Sequence, residues 1–374
     1  MHAAAPTSRR PPQRWDIFCR VIDNFGDIGV CWRLARQLAS EHSLQVRLWV
    51  DDLVSLSPLC PAVASDATVQ SVDGVEIRQW PVHFPEISPA EVGDIVIEAF
   101  ACELPANYLA AMAAAKPTPG WINLEYLSAE PWVESCHRVA SPHPALPLIK
   151  HFFFPGFTAK TGGLLCERGL LAQRDVAMAA LPASDALQVS LFCYDTAPLG
   201  QLIAAWSQHP QPIHCHVAAG KPTAALTRLF GHAGPWQRGA LTLSPIPFLS
   251  QDDYDRLLWQ CDLNLVRGED SFARAQWAGK PLLWHIYPQA EDAHRDKLDA
   301  FLSCYTAALN AQAQQALHDL FQAWNGDGSG IAASWPAFAR HLPDYRAHAE
   351  AWAAQLAGLG DLAENLVKFC TYEL

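Results

Sequence analysis

Short apolar runs recur along the chain and alternate with segments in which apolar residues have helical spacing. In the first third, the runs that predict strands are residues 15–22, 46–50, 76–80, 94–98 and 120–124. Between the first two runs, residues 30–39 repeat apolar positions at the spacing of an amphipathic helix. Strand, loop, helix and strand in this order predict the beginning of a doubly wound, mostly parallel α/β domain.

A second series of the same kind begins further along the chain. Residues 141–182 contain five prolines and an aromatic cluster at 151–154, and we interpret them as the linker between two domains. Beyond them, apolar runs at 187–195, 213–217 and 241–244 alternate with predicted helices at 199–206 and 254–259. The pattern predicts two Rossmann-like domains, at 15–182 and 183–345. Residues 346–374 are predicted to form helices that return to the first domain, and residues 1–14 a disordered tail.

The stretch from 259 to 289 shows this pattern most clearly. An apolar run ends at Arg267-Gly268, and a helical segment follows that Gly279 ends and Pro281 prevents from continuing. Arg267, Glu269, Asp270 and Ser271 lie in the turn between strand and helix, at the edge of a parallel sheet where ligands bind. These side chains could hold sugar hydroxyls, a ribose and a phosphate. The alternative is a Ser or Asp N-cap, with the acids complementing the helix dipole.

A pair of carboxylates follows the first predicted strand, in Asp23-Asn24-Phe25-Gly26-Asp27. The loop lies at the carboxyl end of the strand, so both acids could face a cleft, where they could bind a cationic or hydroxyl-rich substrate and accept a proton. The alternative is an Asx-turn at Asp23 with Asp27 capping the next helix.

Other candidate chemistry is weaker. Phe248 and Tyr287 could stack on a nucleobase whose edge Gln251 reads, although each could instead be a core residue. His214 and His216 share one face of a strand, but no further cluster completes a metal site. The sequence contains neither a P-loop nor a G-x-G-x-x-G motif, which argues against ATP- and NAD-dependent chemistry.

Composition narrows the function classes. The formal net charge of −12 argues against a nucleic-acid-binding protein, which would carry clustered Lys and Arg. The eleven cysteines lack a C-x-x-C pair and often lie in apolar runs, which predicts reduced thiols in a cytoplasmic protein. No apolar run has the ~20 residues of a membrane span.

Four long motifs resemble one known family. They are residues 17–36, which include Asp23-Asn24-Phe25-Gly26-Asp27, then 123–130, 267–272 and 287–289. On these motifs the chain resembles the bacterial protein-arginine rhamnosyltransferases of elongation factor P, the EarP family, from about Trp15 to the carboxyl terminus.

The resemblance implies a GT-B fold, in which two Rossmann-like domains face each other across a cleft. It implies an inverting enzyme that moves L-rhamnose from dTDP-β-L-rhamnose to one arginine of elongation factor P, without a metal or a cofactor. That modification would activate elongation factor P for the rescue of ribosomes stalled at polyproline. Neither a nucleic acid nor a membrane would be a partner.

The resemblance also implies roles for residues. Asp27 would be the general base, Asp23 would help to hold the acceptor guanidinium, and Glu269 would be critical for activity. Asn24, Phe25 and Gly26 would contact the sugar, and Phe248 would stack on thymine. The residues that would bind the donor are Phe192, Tyr194, Phe248, Gln251, Arg267, Gly268, Asp270, Ser271 and Tyr287.

Two other functions fit the sequence pattern. One is a glycosyltransferase of the same fold that acts on a lipid or glycan. A membrane-facing basic or amphipathic helix in the first domain would favour it, and the sequence indicates no helix of that membrane-facing kind there. The other is a nucleotide-sugar sensor that binds a partner protein without catalysis.

Overall fold

The computed structural model describes residues 14–22, 25–288 and 293–374. Asp23, Asn24 and the predicted tail up to residue 13 therefore lie outside the described residues. Arg14 is the first residue of a strand, so the tail predicted for 1–14 reaches one residue too far.

The first sheet is formed by strands of the amino-terminal part. These are β1 (Arg14–Cys19), β2 (Gln45–Val50), β3 (Val69–Val72), β4 (Val75–Gln79), β5 (Ile95–Ala99), β6 (Gly120–Leu124), β7 (Ala140–Pro142) and β8 (Ile149–Phe153). Their order is β3-β4-β2-β1-β5-β6-β8-β7, parallel except for β3 and β7. The helices of this part are α1 (Gly26–His42), α2 (Leu53–Leu56), α3 (Ala106–Ala114) and α4 (Val133–Cys136).

Helix α5 (Leu170–Ala179) precedes the second sheet. Its strands are β9 (Leu187–Leu191), β10 (Ile213–Val217), β11 (Trp236–Arg238), β12 (Leu241–Pro245), β13 (Leu263–Arg267) and β14 (Leu282–His285), in the order β11-β12-β10-β9-β13-β14. All pair in parallel except β11. The helices that accompany them are α6 (Leu199–Trp206), α7 (Lys221–Phe230), α8 (Gln251–Gln260), α9 (Asp270–Ala278), α10 (Ala293–Tyr305), α11 (Ala311–Asn325), α12 (Ile331–Arg340) and α13 (Leu342–Ala357).

The central strands are apolar because both faces of each sheet are covered. Every described residue of β13 is buried, and β1 is buried from Trp15 onward. Buried strands in parallel sheets lack polar alternation, which explains the apolar runs in the sequence. Each sheet has a switch point at which the strand order reverses direction. It lies between β1 and β5 in the first sheet and between β9 and β13 in the second. A ligand crevice is expected at these switch points.

The last helix, α14 (Leu362–Tyr372), packs into the core of the first domain. Leu362, Leu366 and Phe369 belong to the same apolar cluster as α1 and β1. Asp361 caps this helix by accepting hydrogen bonds from the backbone N–H groups of Ala363 and Glu364. The chain therefore crosses back from the second domain and joins the two domains a second time.

Two predictions of secondary structure are wrong. Residues 149–153, placed in the linker between domains, form β8; its mostly half-exposed side chains hid the strand. Helix α1 begins at Gly26 rather than after Gly29. Gly29 lies inside this helix, where a Cβ would come within 3.2 Å of side-chain atoms of Asp270 and Gln251, so the glycine permits close packing between the domains. The edge strands β3 and β11 and helix α7 were not predicted.

The cysteines of the described chain are all free thiols. Burial raises the pKa of the Cys193 thiol to about 12, which keeps it protonated and unreactive. No helix among the described residues combines the length and the apolar character needed to cross a bilayer.

Candidate functional site

Asp27 lies in the first turn of α1, at the carboxyl edge of the first sheet. Its side chain is 1% exposed, and its Oδ2 accepts a hydrogen bond of 2.9 Å from the backbone N–H of Ile22. It also shares a hydrogen bond with the hydroxyl of Tyr126, which follows β6. Phe25 is the N-cap of α1 and no side chain caps it, so the alternative role of Asp27 as a helix cap is wrong.

The second domain provides a pocket opposite this edge. Its cavity of about 80 Å³ is formed by loops that follow β9, β10, β12 and β13, and Phe25 and Gly26 close it from the first domain. The predicted residues that line it are Phe25, Gly26, Phe192, Phe248, Gln251, Arg267, Gly268, Asp270 and Ser271. Ala218, Ala219, Ile246, Pro247 and Tyr254 also line the pocket and were not predicted. Ala218, Ala219, Ile246 and Pro247 lie in loops that follow strand ends, which is the signal that could have identified them, whereas Tyr254 lies in α8.

Arg267 is the cation of this pocket. Its guanidinium carbon lies 4.4 Å from the ring centroid of Phe192 and 4.5 Å from that of Tyr194, and the residue is 6% exposed. Its Nη1 atom is buried and has no hydrogen-bond partner among the described residues. Because a buried donor without a partner is costly, this atom is suited to a bound anion.

The turn after Arg267 is built to present backbone N–H groups. Gly268 has a φ of +65°, and the Ser271 hydroxyl exchanges hydrogen bonds with both backbone groups of Arg267. Glu269 is the N-cap of α9 but makes no side-chain cap, so the alternative of a Ser or Asp cap is wrong. The first N–H groups of α9 are therefore free of side-chain caps and can receive an anion.

The aromatic residues predicted to meet the base are exposed rather than buried. Phe248 is 42% exposed and its ring lies 5.0 Å from that of Phe25, across the boundary between the domains. Tyr287 is 49% exposed and its ring lies 5.4 Å from that of Tyr194. The alternative role of these two side chains in the core is wrong, and exposed rings beside a pocket can stack on a planar ligand.

A second cavity, of about 180 Å³, joins the two domains next to Asp27. Asp27 and Tyr126 line it from the first domain, and Glu269, Tyr287 and Lys297 line it from the second. Glu269 pairs with Lys297 through Oε1, at 2.9 Å from Nζ, while its Oε2 is buried without a partner among the described residues. Two carboxylates from opposite domains therefore face one space.

A buried ion network fixes the domains beside these cavities. Arg33 of α1 lies 2.8 Å from Asp270 and pairs with both oxygens of Asp255, at 3.0 and 3.1 Å. Arg274 contacts the same Asp255 at 2.7 and 3.0 Å and Glu167 at 2.6 Å. Of this set, the sequence pattern predicts only Asp270, because the ion pairs join residues that are far apart in the sequence.

Gln251 completes this interdomain contact. Its Nε2 donates to the Gly29 carbonyl and to Asp270 Oδ2, both at 3.0 Å. Its Oε1 is buried and lacks a partner among the described residues, although it belongs to the pocket that Arg267 lines. Gln251 and Asp270 thus line the pocket and also connect the second domain to α1 of the first.

The network predicts a specific acid sensitivity. Burial raises the pKa of the Glu167 carboxyl, but Arg274 and Arg33 outweigh this and lower it from 4.5 to about 2. Because the pKa is lower in the folded state, the ionised carboxylate stabilises the fold above pH 4.5, and this stabilisation is lost as the pH falls toward 2. Glu167→Gln should therefore weaken the dependence of the free energy of unfolding on pH in this window, measured by urea unfolding.

The surface pair of Arg138 and Glu373 provides the control for this measurement. Glu373 is half exposed, at 50%, and an exposed ion pair contributes little, so Glu373→Gln should have little effect on the free energy of unfolding. An equal dependence in wild-type protein and Glu167→Gln would contradict the role of Glu167.

The two histidines considered as metal ligands have other partners. His214 Nε2 lies 3.0 Å from the Ser244 hydroxyl, and His216 Nε2 lies 3.1 Å from Gln188 Oε1. Within the described ranges, no group of three or more His, Cys, Asp or Glu side chains could hold a metal ion.

The chain is similar to known proteins over nearly its whole length. Residues 15–371 match the family model described as "Elongation-Factor P (EF-P) rhamnosyltransferase EarP". The chain is 50% identical over 373 residues to a protein-arginine rhamnosyltransferase of Pseudomonas putida KT2440 and 46% identical over 373 residues to that of Pseudomonas aeruginosa PAO1. Each alignment covers 95% of this chain and 98% of the relative.

A solved structure shares the fold. It is described as "Structural basis for EarP-mediated arginine glycosylation of translation elongation factor EF-P" and is 37% identical, with a TM-score of 0.66. The match covers 96% of this chain and 99% of that one. The predicted GT-B fold, two Rossmann-like domains across a cleft, is confirmed. The chain belongs to the EarP family of elongation factor P rhamnosyltransferases.

Proposed function

We propose that this protein transfers L-rhamnose from dTDP-β-L-rhamnose to a guanidino nitrogen of one arginine of elongation factor P. The reaction inverts the anomeric carbon and needs neither a metal nor a cofactor. The modification activates elongation factor P for the rescue of ribosomes stalled at polyproline. The observation that carries the proposal is the placement of Asp27 and Glu269, from opposite domains, on one cavity beside the Arg267 pocket.

The donor occupies the second domain. Thymine stacks on the exposed ring of Phe248, and the buried Oε1 of Gln251 accepts a hydrogen bond from the base. The pyrophosphate meets Arg267 Nη1 and the N–H groups at the start of α9, with Ser271 holding the turn. These donors stabilise the charge that develops on the leaving diphosphate.

The acceptor enters from the first domain. A guanidinium has a pKa above ~12 and no free lone pair, so a carboxylate cannot simply deprotonate it. Asp27 can instead orient the guanidinium and draw its charge away from the attacking nitrogen, with Asp23 as its partner. As the N–C1 bond forms and the C1–O bond to phosphate breaks, the proton passes from that nitrogen to Asp27. The rhamnosylated guanidinium keeps its positive charge.

Glu269 and Lys297 lie on the sugar side of the cavity. The unpartnered Oε2 of Glu269 can accept a hydrogen bond from a rhamnose hydroxyl, while Lys297 keeps the other oxygen in place. Tyr287 and Tyr194, with rings 5.4 Å apart, close the donor side next to Arg267.

Intact-mass analysis tests the proposal. We expect elongation factor P, incubated with this protein and dTDP-β-L-rhamnose in EDTA, to gain the mass of one deoxyhexose on a single arginine. Elongation factor P with that arginine replaced by lysine should gain nothing. An unmodified acceptor, with donor bound but not consumed, would contradict the proposal and favour the sensor. Transfer to a lipid or glycan instead would select a different acceptor class.

A further inference from the structure

Tyr126 connects Asp27 to the second domain. It follows β6 at the carboxyl edge of the first sheet, and its hydroxyl shares a hydrogen bond with Asp27. Phe100 stacks on its ring, with centroids 4.5 Å apart and planes inclined by 17°, which fixes the direction of the hydroxyl. Lys297 Nζ lies 5.6 Å from the centroid of the same ring.

Lys297 continues the connection. Its Nζ pairs with Glu269 Oε1 at 2.9 Å and lies 5.8 Å from the ring centroid of Trp284. Lys297 and Glu269 are each only 15% exposed, so the contacts between the ammonium, the rings and the carboxylate are partly desolvated and stronger than on an open surface. Asp27, Tyr126, Lys297 and Glu269 thus form a row, with two members from each domain.

We propose that Tyr126 is a positioning residue that holds the Asp27 carboxylate ready to accept a proton, and that Lys297 ties it to Glu269 across the cleft. This inference rests on the proposed function, because it gives Asp27 the role of base. A phenol that donates to a carboxylate stabilises its charged form and restricts its rotation. Because Lys297 contacts both Tyr126 and Glu269, the packing of the two domains holds both carboxylates on one cavity.

The groups around Asp27 determine the direction of the effect on pH dependence. Among the described residues, the titratable groups that face it include Tyr126 after β6, Cys19 at the end of β1, and Glu269 and Lys297 from the second domain. Burial, with the Asp27 charge, raises the pKa of the Tyr126 hydroxyl above its usual range, and burial does the same for the Cys19 thiol. Both groups stay protonated. Without the Tyr126 hydroxyl, the carboxylate of Asp27 loses a donor and should take up a proton at higher pH.

The test compares Tyr126→Phe with Tyr345→Phe. The Tyr345 hydroxyl is buried and donates to the Ala313 carbonyl at 2.7 Å, in the helical part of the second domain, so the control loses the same group away from the cleft. Tyr126→Phe should lower kcat for elongation factor P by about 10- to 100-fold, as for a lost hydrogen bond to a charged group. It should leave KM for dTDP-β-L-rhamnose unchanged and move the acidic limb of the pH–rate profile to higher pH. Tyr345→Phe should leave kcat, KM and the pH–rate profile unchanged.

Lys297→Met provides the second variant. It should also lower kcat, and the double variant should lose less than the product of the two single losses, because the residues act in one row. A wild-type kcat and pH profile in Tyr126→Phe would overturn the inference. If Tyr126→Phe did not fold, wild-type kcat in Lys297→Met would overturn it and a loss would support it. A wild-type enzyme that leaves elongation factor P unmodified would overturn the proposed function instead.

Discussion

Asp27→Asn should lower the rate of rhamnose transfer by about 10²- to 10⁴-fold, the range for loss of a positioned general base. The fold should persist, because the amide oxygen of asparagine can still accept from the Ile22 N–H, which lies 2.9 Å from the present carboxylate. The Tyr126 hydroxyl can in turn accept a hydrogen bond from the new amide. The measurements are initial rates on elongation factor P, donor affinity by calorimetry, and the thermal midpoint.

Asp51→Asn is the matched control. Asp51 follows β2, and its Oδ1 accepts a 2.9 Å hydrogen bond from the Val21 N–H after β1, so the same change affects a similar backbone contact outside the cleft. It should retain the wild-type rate. Equal activity of Asp27→Asn and Asp51→Asn would refute the assignment of the base.

The largest effect on stability is expected for Arg33→Met. The variant leaves Asp255 and Asp270 facing the buried interface without one of their cations, and a broken buried pair costs about 3–5 kcal/mol. Arg36→Met, one helical turn further on, loses a pair with Asp252, which is 61% exposed, and should cost under ~1 kcal/mol. The free energy of unfolding in urea measures both. Similar values for the two variants would show that the network contributes little.

The sequence predicts the parts of the site that topology alone determines. Arg267 ends β13, Glu269 and Ser271 follow it, and Asp27 follows the loop after β1. The rule that ligands bind at the carboxyl ends of parallel strands therefore predicts their positions from the sequence. The sequence also predicts the end of α9 correctly. Gly279 ends the helix in the left-handed conformation, with a φ of 62°, two residues before Pro281.

Contacts between distant residues could not be predicted in this way. Arg33 and Asp255 are 222 residues apart, and nothing local distinguishes this arginine from a solvent-exposed one on an amphipathic helix. Tyr126 and Lys297 likewise meet only because the domains pack together. Strand β8 was missed for a different reason, because its side chains are mostly half exposed and prolines precede it.

The central claim is that a sugar nucleotide in the second domain meets an arginine held by Asp27 of the first. A crystal structure of Asp27→Asn with dTDP-β-L-rhamnose and elongation factor P measures this most directly. We predict the diphosphate on Arg267 and a guanidino nitrogen about 2.6–3.2 Å from the side chain at position 27, with the anomeric carbon within reach of that nitrogen. A side chain at position 27 turned into the core, away from the guanidinium, would contradict the account.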